Sequence, residues 1–151
     1  MDDRVYRKLS ISDLQLYMQI KDDIPELNIC VDNVRQFLLN PMNWLFACIQ
    51  DNKIVGSIRA YELNILSNKG NILYISALGV NPQFRRQKIA TELLTNIKEA
   101  GKLFGIYQIF LATEQSNIAA CGLYEKLGGV FNKYFKDEND CSRVYFFDPY
   151  E

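Results

Sequence analysis

The chain has 151 residues, 48% of them hydrophobic and 23% charged, with a net charge of −1 from 17 basic and 18 acidic side chains. A single domain of this size buries roughly 70% of the surface its unfolded chain exposes, and the composition excludes a disordered tail, a collagen and a coiled coil. There is no histidine, which removes Ser-His-Asp and Cys-His catalysis and any zinc site built on imidazole, so no metal is expected.

The apolar runs fall well short of the ~20 residues of a membrane span, and no secretory pattern opens the chain. We therefore expect a cytoplasmic protein with neither nucleic acid nor membrane as partner. Cys30, Cys48, Cys121 and Cys141 form no C-x-x-C pair. They read as reduced thiols, most of them packing residues.

In chain order, Val5 to Leu9 reads as a short strand. Ser12-Asp13 then caps a helix with Leu14, Leu16, Tyr17 and Ile20 on its apolar face, ended by Asp22-Asp23-Ile24-Pro25. Asp32 caps a second helix carrying Val34, Phe37 and Leu38, closed at Asn40-Pro41. Trp44 to Gln50 and Ile54 to Leu63 form a hairpin around Asp51-Asn52-Lys53, and Asn71 to Val80 is a third strand stopped by Asn81-Pro82.

From about Phe84 the period becomes helical, with Ile89, Leu93, Leu94, Ile97 and Ala100 on one face and Gly105 as the stop. Tyr107 to Thr113 is a strand, and Asn117 caps a helix through Leu127 that ends at Gly128-Gly129. Val130 to Phe135 and Arg143 to Phe147 close the chain as a hairpin around the polar loop Asp137-Glu138-Asn139-Asp140. The order β-α-α-β-β-β-α-β-α-β-β predicts one α/β (α+β) domain over residues 1–151, with a mixed, mostly antiparallel twisted sheet flanked by helices.

Two segments carry chemistry. In the first, the strand ending at Val80 leads through Asn81-Pro82-Gln83-Phe84 into Arg85-Arg86-Gln87-Lys88-Ile89-Ala90. A helix start offers amides without intrahelical partners, and two arginines beside them suit a diphosphate; a basic turn that merely caps a helix is the alternative. In the second, Asn117 to Gly128, Tyr124 lies on a capped helix, where it serves either as a core residue or as an acid.

The pair resembles the acetyl-CoA signature of the GCN5-related N-acetyltransferase superfamily, whose strand ends V-x-P before R/Q-x-x-G-x-G/A and whose later helix reads N-x-x-A-x-x-L-Y-x-K-x-G. Val80, Pro82, Arg85 and Ala90 match the first motif. Asn117, Ala120, Leu123, Tyr124, Lys126 and Gly128 match the second. Leu73-Tyr74-Ile75, the run Arg85 to Thr91 and Leu123 to Gly128 look most like the type I aminoglycoside 3-N-acetyltransferases. Two positions depart: Lys88 stands where the superfamily has glycine, and Ala77 where the aminoglycoside enzymes carry an aspartate. A helical backbone angle would make Lys88 a cheap replacement.

The resemblance implies the acyl-CoA N-acyltransferase fold, acetyl-CoA as co-substrate, and direct attack by a primary amine in a ternary complex. Leu78, Gly79, Val80, Arg85, Arg86, Gln87, Lys88, Ile89, Ala90, Asn117, Ala120 and Tyr124 would bind the donor. Gly79 would be a bulge that spreads two strands and bares an amide. Tyr124 would protonate the leaving thiolate. With no histidine the base must be a carboxylate, or water draining to one, and Glu114 comes before Glu62 as candidate.

The acceptor would be a small-molecule amine, an aminoglycoside-type antibiotic among them, with Asp22, Asp23 and Glu26 available to face it. A non-catalytic acyl-CoA-binding module and a peptide or protein N-acetyltransferase are the alternatives. Relatives of this kind often dimerise through sheet edges, and Tyr145-Phe146-Phe147 fits either such an edge in a homodimer or the core.

Overall fold

A computed structural model describes residues 3–131 and 141–151. Seven strands form one sheet in the order β1-β2-β3-β4-β5-β7-β6: β1 (Val5–Lys8), β2 (Asn43–Gln50), β3 (Lys53–Leu63), β4 (Ile72–Val80), β5 (Gln108–Glu114), β6 (Val130–Phe131) and β7 (Ser142–Phe147). Every pairing is antiparallel except β4 with β5. The tight β2–β3 turn is carried by Asp51 and Asn52 at φ 52° and 61°, the left-handed pair that a two-residue hairpin requires. The remainder of the expected closing hairpin, with its polar loop, lies outside the described residues.

The helices are α1 (Leu14–Met18), α2 (Ile20–Asp23), α3 (Val31–Leu39), α4 (Ile89–Leu103) and α5 (Ile118–Lys126). α4 and α5 cover one face of the sheet. The main core there joins Trp44, Ile58, Leu73, Ile75, Leu93, Ile97, Ile109, Leu111, Tyr145 and Phe147. A smaller core on the opposite face packs Leu9, Leu45, Ala47 and Ile54 beneath Leu16, Tyr17, Ile20, Phe37 and Leu38 of the early helices. Tyr145 and Phe147 are thus core, whereas Phe146 points to the second face, where Phe37, Tyr61, Tyr74, Phe110 and Phe146 stand ring to ring at 5.1–6.5 Å.

Three local expectations are corrected. The first helix is two short pieces that meet at Gln19. Cys30 rather than Asp32 is the N-cap of α3, and Asp32 sits in its first turn bridged to Arg35. The helix expected from Phe84 begins only at Ile89, because Pro82–Phe84 form a separate 3₁₀ turn held by the Asn81 side chain, which accepts from the Gln83 N–H at 3.0 Å.

Asp13 does more than cap. Its carboxylate accepts both Arg7 Nη atoms at 2.8 and 2.9 Å and the Ser10 N–H at 2.8 Å, tying β1 to α1. The Arg7 hydrogen bonds hold its carboxyl below the usual carboxylate range, against the opposing push of burial. A depressed folded-state value adds stability above the unfolded value near 4, and that stability is lost as pH falls through the folded value. We expect Asp13→Asn to cost about 1–2 kcal/mol at pH 7, with Arg7 half exposed limiting the loss. In urea unfolding the difference from wild type should shrink as pH is lowered through this range.

Candidate active site

The site begins where β4 and β5 part. Their parallel ladder pairs Ile72–Ile75 with Gln108–Leu111 and then stops, while β4 stays paired to β3 as far as Val80 and β5 to β7 as far as Glu114. The irregularity that turns β4 aside is at Ser76, which lies between the register pairs Ala60↔Ile75 and Arg59↔Ala77. Gly79 is not the bulge that the sequence suggested: it pairs regularly with Ser57, and a methyl group there would meet nothing within 4 Å.

The Asn81 N–H donates to the Val55 carbonyl at 2.8 Å. Strand alternation then turns the amide of Gly79 toward β3 and the amides of Leu78 and Val80 into the open wedge.

Beyond Val80 the chain forms the anion end of this wedge. Arg86 and Lys88 have φ of 63° and 64°, and left-handed residues in a loop entering a helix gather N–H groups into a concavity that suits anions. α4 follows at once, and the Glu92 N–H is bonded back to the Lys88 carbonyl at 3.0 Å. The amides of Ile89, Ala90 and Thr91 precede it, where a helix has no internal acceptors and carries a partial positive charge.

A cavity of about 380 Å³ is lined by Leu78, Gly79, Val80, Phe84, Arg85, Arg86, Lys88, Ile89, Ala90 and Thr91. Eight of the twelve residues expected to bind the donor meet there. The angle at Lys88 is left-handed, not the helical one that would have made the replacement cheap: this is a position where glycine is free, and a lysine costs roughly 1–2 kcal/mol.

The other four are placed differently. Gln87 turns outward, its side chain and carbonyl engaged by Arg4. Asn117 caps α5 by accepting from the Ala120 N–H at 3.1 Å, and Ala120 packs against the main core. Tyr124 has its ring packed on Tyr145 and Phe147 at 5.6 and 6.3 Å, in the same core as Leu78 and Val80. Among the described residues no buried side-chain polar atom lacks a partner. No hydrogen bond to the Tyr124 hydroxyl is seen among the described residues, and Tyr124 does not line the 380 Å³ cavity. Burial raises its pKa above the ordinary phenol value, so it stays protonated at neutral pH.

The two carboxylates separate. Glu114 ends β5 on the face shared with Phe110, exposed, three residues past the last β4–β5 pair at Leu111, and it does not line the 380 Å³ cavity. Glu62 is opposite Leu73, five residues along β3 from the Ser57↔Gly79 pair, or roughly 17 Å. Its carboxylate accepts from Trp44 Nε1 at 3.1 Å and Asn71 Nδ2 at 2.7 Å. The structure therefore does not bring Glu62 to the cleft.

A second cavity, of about 550 Å³, opens on the other side of the same β4 residues. It shares Leu78, Gly79, Val80 and Arg85 with the first and is bounded by Tyr17, Asp23, Glu26, Ser57, Arg59 and Ala77 among others. Of the three early carboxylates, Asp23 and Glu26 reach it. Asp22 lines a separate small hollow.

The acetyltransferase (GNAT) family model matches residues 13–129, a span that includes both strands of the wedge, the basic loop and α5. The chain belongs to this family. None of the curated proteins compared with it matches. Solved structures do, and they share its fold.

A probable acetyltransferase from Staphylococcus epidermidis ATCC 12228 superposes with a TM-score of 0.75 at 17% identity, covering 96% of this chain and 98% of that one. An aminoglycoside acetyltransferase from an uncultured soil metagenomic sample gives 0.72 at 25% identity, covering 91% and 98%. NAA60 of Arabidopsis thaliana, in complex with acetyl-CoA, gives 0.73 at 17% identity, covering 96% and 98%.

This GNAT chain is an acetyl-CoA-dependent N-acetyltransferase, and its own residues fit the donor. The cavity at the start of α4 provides amides and three cationic side chains for a diphosphate, and the unpaired edge of β4 provides amides for an extended arm. Among the described residues no group of three metal-ligating side chains occurs, and no helix is long and apolar enough to cross a membrane.

Proposed function

We propose that this enzyme acetylates a primary amine of a small molecule that enters through the 550 Å³ cavity, by direct attack within a ternary complex. The single observation that carries the reading is the meeting of the two cavities on Leu78, Gly79 and Val80. Donor and acceptor then approach the same three residues from opposite sides.

Acetyl-CoA supplies an acetyl group activated as a thioester. The Leu78 amide, turned into the wedge, donates to the oxygen on which charge gathers during attack. Arg85, Arg86 and the amides of residues 89–91 fix the donor's diphosphate and so orient the reacting end. Tyr124 holds a proton for the departing sulfur. Glu114, past the last β4–β5 pair and on the acceptor's face of the sheet, takes the amine's proton through water. The aminoglycoside reading is weakened by Ala77, which lines the acceptor cavity and offers no carboxylate to a polycation.

Calorimetry with coenzyme A tests the donor half. We expect micromolar binding that weakens about tenfold or more in the Arg85→Ala/Arg86→Ala double variant and that falls with added salt. Absence of heat with the wild type would overturn the proposal. Release of free thiol from acetyl-CoA in the presence of amines tests the acceptor half.

A further inference from the structure

The acceptor cavity holds one cation that the motifs do not include, beside Arg85 and the carboxylates Asp23 and Glu26. Arg59 projects from β3 directly across from Ala77, so a cation stands beside a position that offers no carboxylate. It lines the 550 Å³ cavity and also a neighbouring one of about 260 Å³, whose other walls include Phe37, Tyr61 and Asn33. Its Nε donates to the Ser76 hydroxyl at 3.0 Å. Among the described residues no carboxylate pairs with it, so its two terminal nitrogens are uncommitted.

Tyr17 and Ser57 lie beside it in the same cavity, and the Arg59 charge pulls the Tyr17 phenol downward against the larger upward push of burial. The acidic residues of the cavity, Asp23 and Glu26, belong to α2 and the turn after it. Asp23 stands 3.8 Å from Lys53.

A half-buried guanidinium with a free fork, held in place by a hydroxyl, is built to receive two oxygens of an anion. Leaving it unmatched against a purely cationic substrate would add repulsion at the point where the amine must sit. We infer that the acceptor is a small primary amine that also carries an oxyanion, a carboxylate or a phosphate, held by Arg59. This rests on the acetyltransferase reading above and names its substrate class. Along β4, Ala77 and Gly79 are two residues apart, roughly 7 Å, so oxyanion and amine can be engaged at once.

The test is a panel of matched pairs: L-amino acids with their α-amides, the ω-amino acids from β-alanine to 6-aminohexanoate with the corresponding alkylamines, and phosphoethanolamine with ethanolamine. Spermidine and an aminoglycoside serve as polycations. Turnover is read by thiol release, and binding to the protein alone by saturation-transfer NMR.

We expect oxyanion-bearing members to exceed their partners by on the order of 10²-fold in kcat/KM, the amino-acid and phosphate arms telling the two anions apart. Arg59→Gln should raise KM for them at least about tenfold with coenzyme A affinity unchanged, and Arg59→Lys should recover part of the loss. Preference for the polycations, equal binding within every pair, or an unaltered KM in Arg59→Gln would overturn the inference. Failure of coenzyme A to bind would sink the donor reading, while the NMR comparison would still decide the role of Arg59.

Discussion

Tyr124→Phe should lower kcat by about 10²-fold, or roughly 2.7 kcal/mol of barrier, while coenzyme A binds within about a factor of two of wild type. The substitution removes only the hydroxyl. The ring's contacts with Tyr145 and Phe147 remain, and no hydrogen bond among the described residues is lost. Unfolding stability should accordingly change by less than about 0.5 kcal/mol, which separates a chemical role from a packing role.

Burial lifts the phenol above its ordinary value, so the proton-bearing form persists on the alkaline side. The wild-type rate should not fall from loss of that proton until the pH passes about 10. Glu114→Gln, in contrast, should alter the acidic limb and leave the alkaline one in place. Unchanged turnover in Tyr124→Phe, measured under single-turnover conditions, would remove the tyrosine from the mechanism.

Gly56→Val should cost about 2–3 kcal/mol and lower Tm by roughly 5–10 °C. A Cβ at Gly56 would stand 2.8 Å from Ile89 Cγ2 and 3.3 Å from both the Gly79 carbonyl oxygen and Leu93 Cδ1. Ile89 is buried, and the atom that must yield is the methyl carried directly on its branched Cβ, so no flexible side-chain end can swing away. The first turn of α4 would have to lift from β3, and with it the amides and arginines of the anion loop.

Stability and coenzyme A affinity should therefore fall together. If Gly56→Val does not fold, Gly56→Ala should show the same coupled loss on a smaller scale. Thermal unfolding and calorimetry on one preparation check the pair. A loss of stability with full affinity would show that α4 and the loop are not positioned through Gly56.

Much of the site was legible because local rules enforce it. Val80, Pro82 and the basic run before Ile89 fix a strand end and a helix start in sequence, and orphan amides follow from that boundary wherever it falls. The hairpin at Asp51-Asn52 and the stop at Gly105, with φ of 73°, were equally local. The periodicity of α4 could not show that the helix waits until Ile89, because four residues of turn and loop carry no apolar stripe to contradict it. Nor could it show that Lys88 occupies a left-handed angle, since that angle is demanded by the loop's path and not by lysine.

The sequence by itself determined the layered α/β class, the absence of imidazole chemistry, a basic loop leading into α4, and a separate capped helix, α5, bearing Tyr124. Register and strand separation were decided only in three dimensions. The irregularity at Ser76 parts β4 from β5 and makes the cleft, the remoteness of Glu62 follows from its pairing with Leu73, and Arg59 acquires its meaning from lying opposite Ala77. Each depends on which residue faces which across a ladder, and a shift of one residue moves every side chain to the other face. Such pairings join positions far apart in the chain, so no window of sequence contains them.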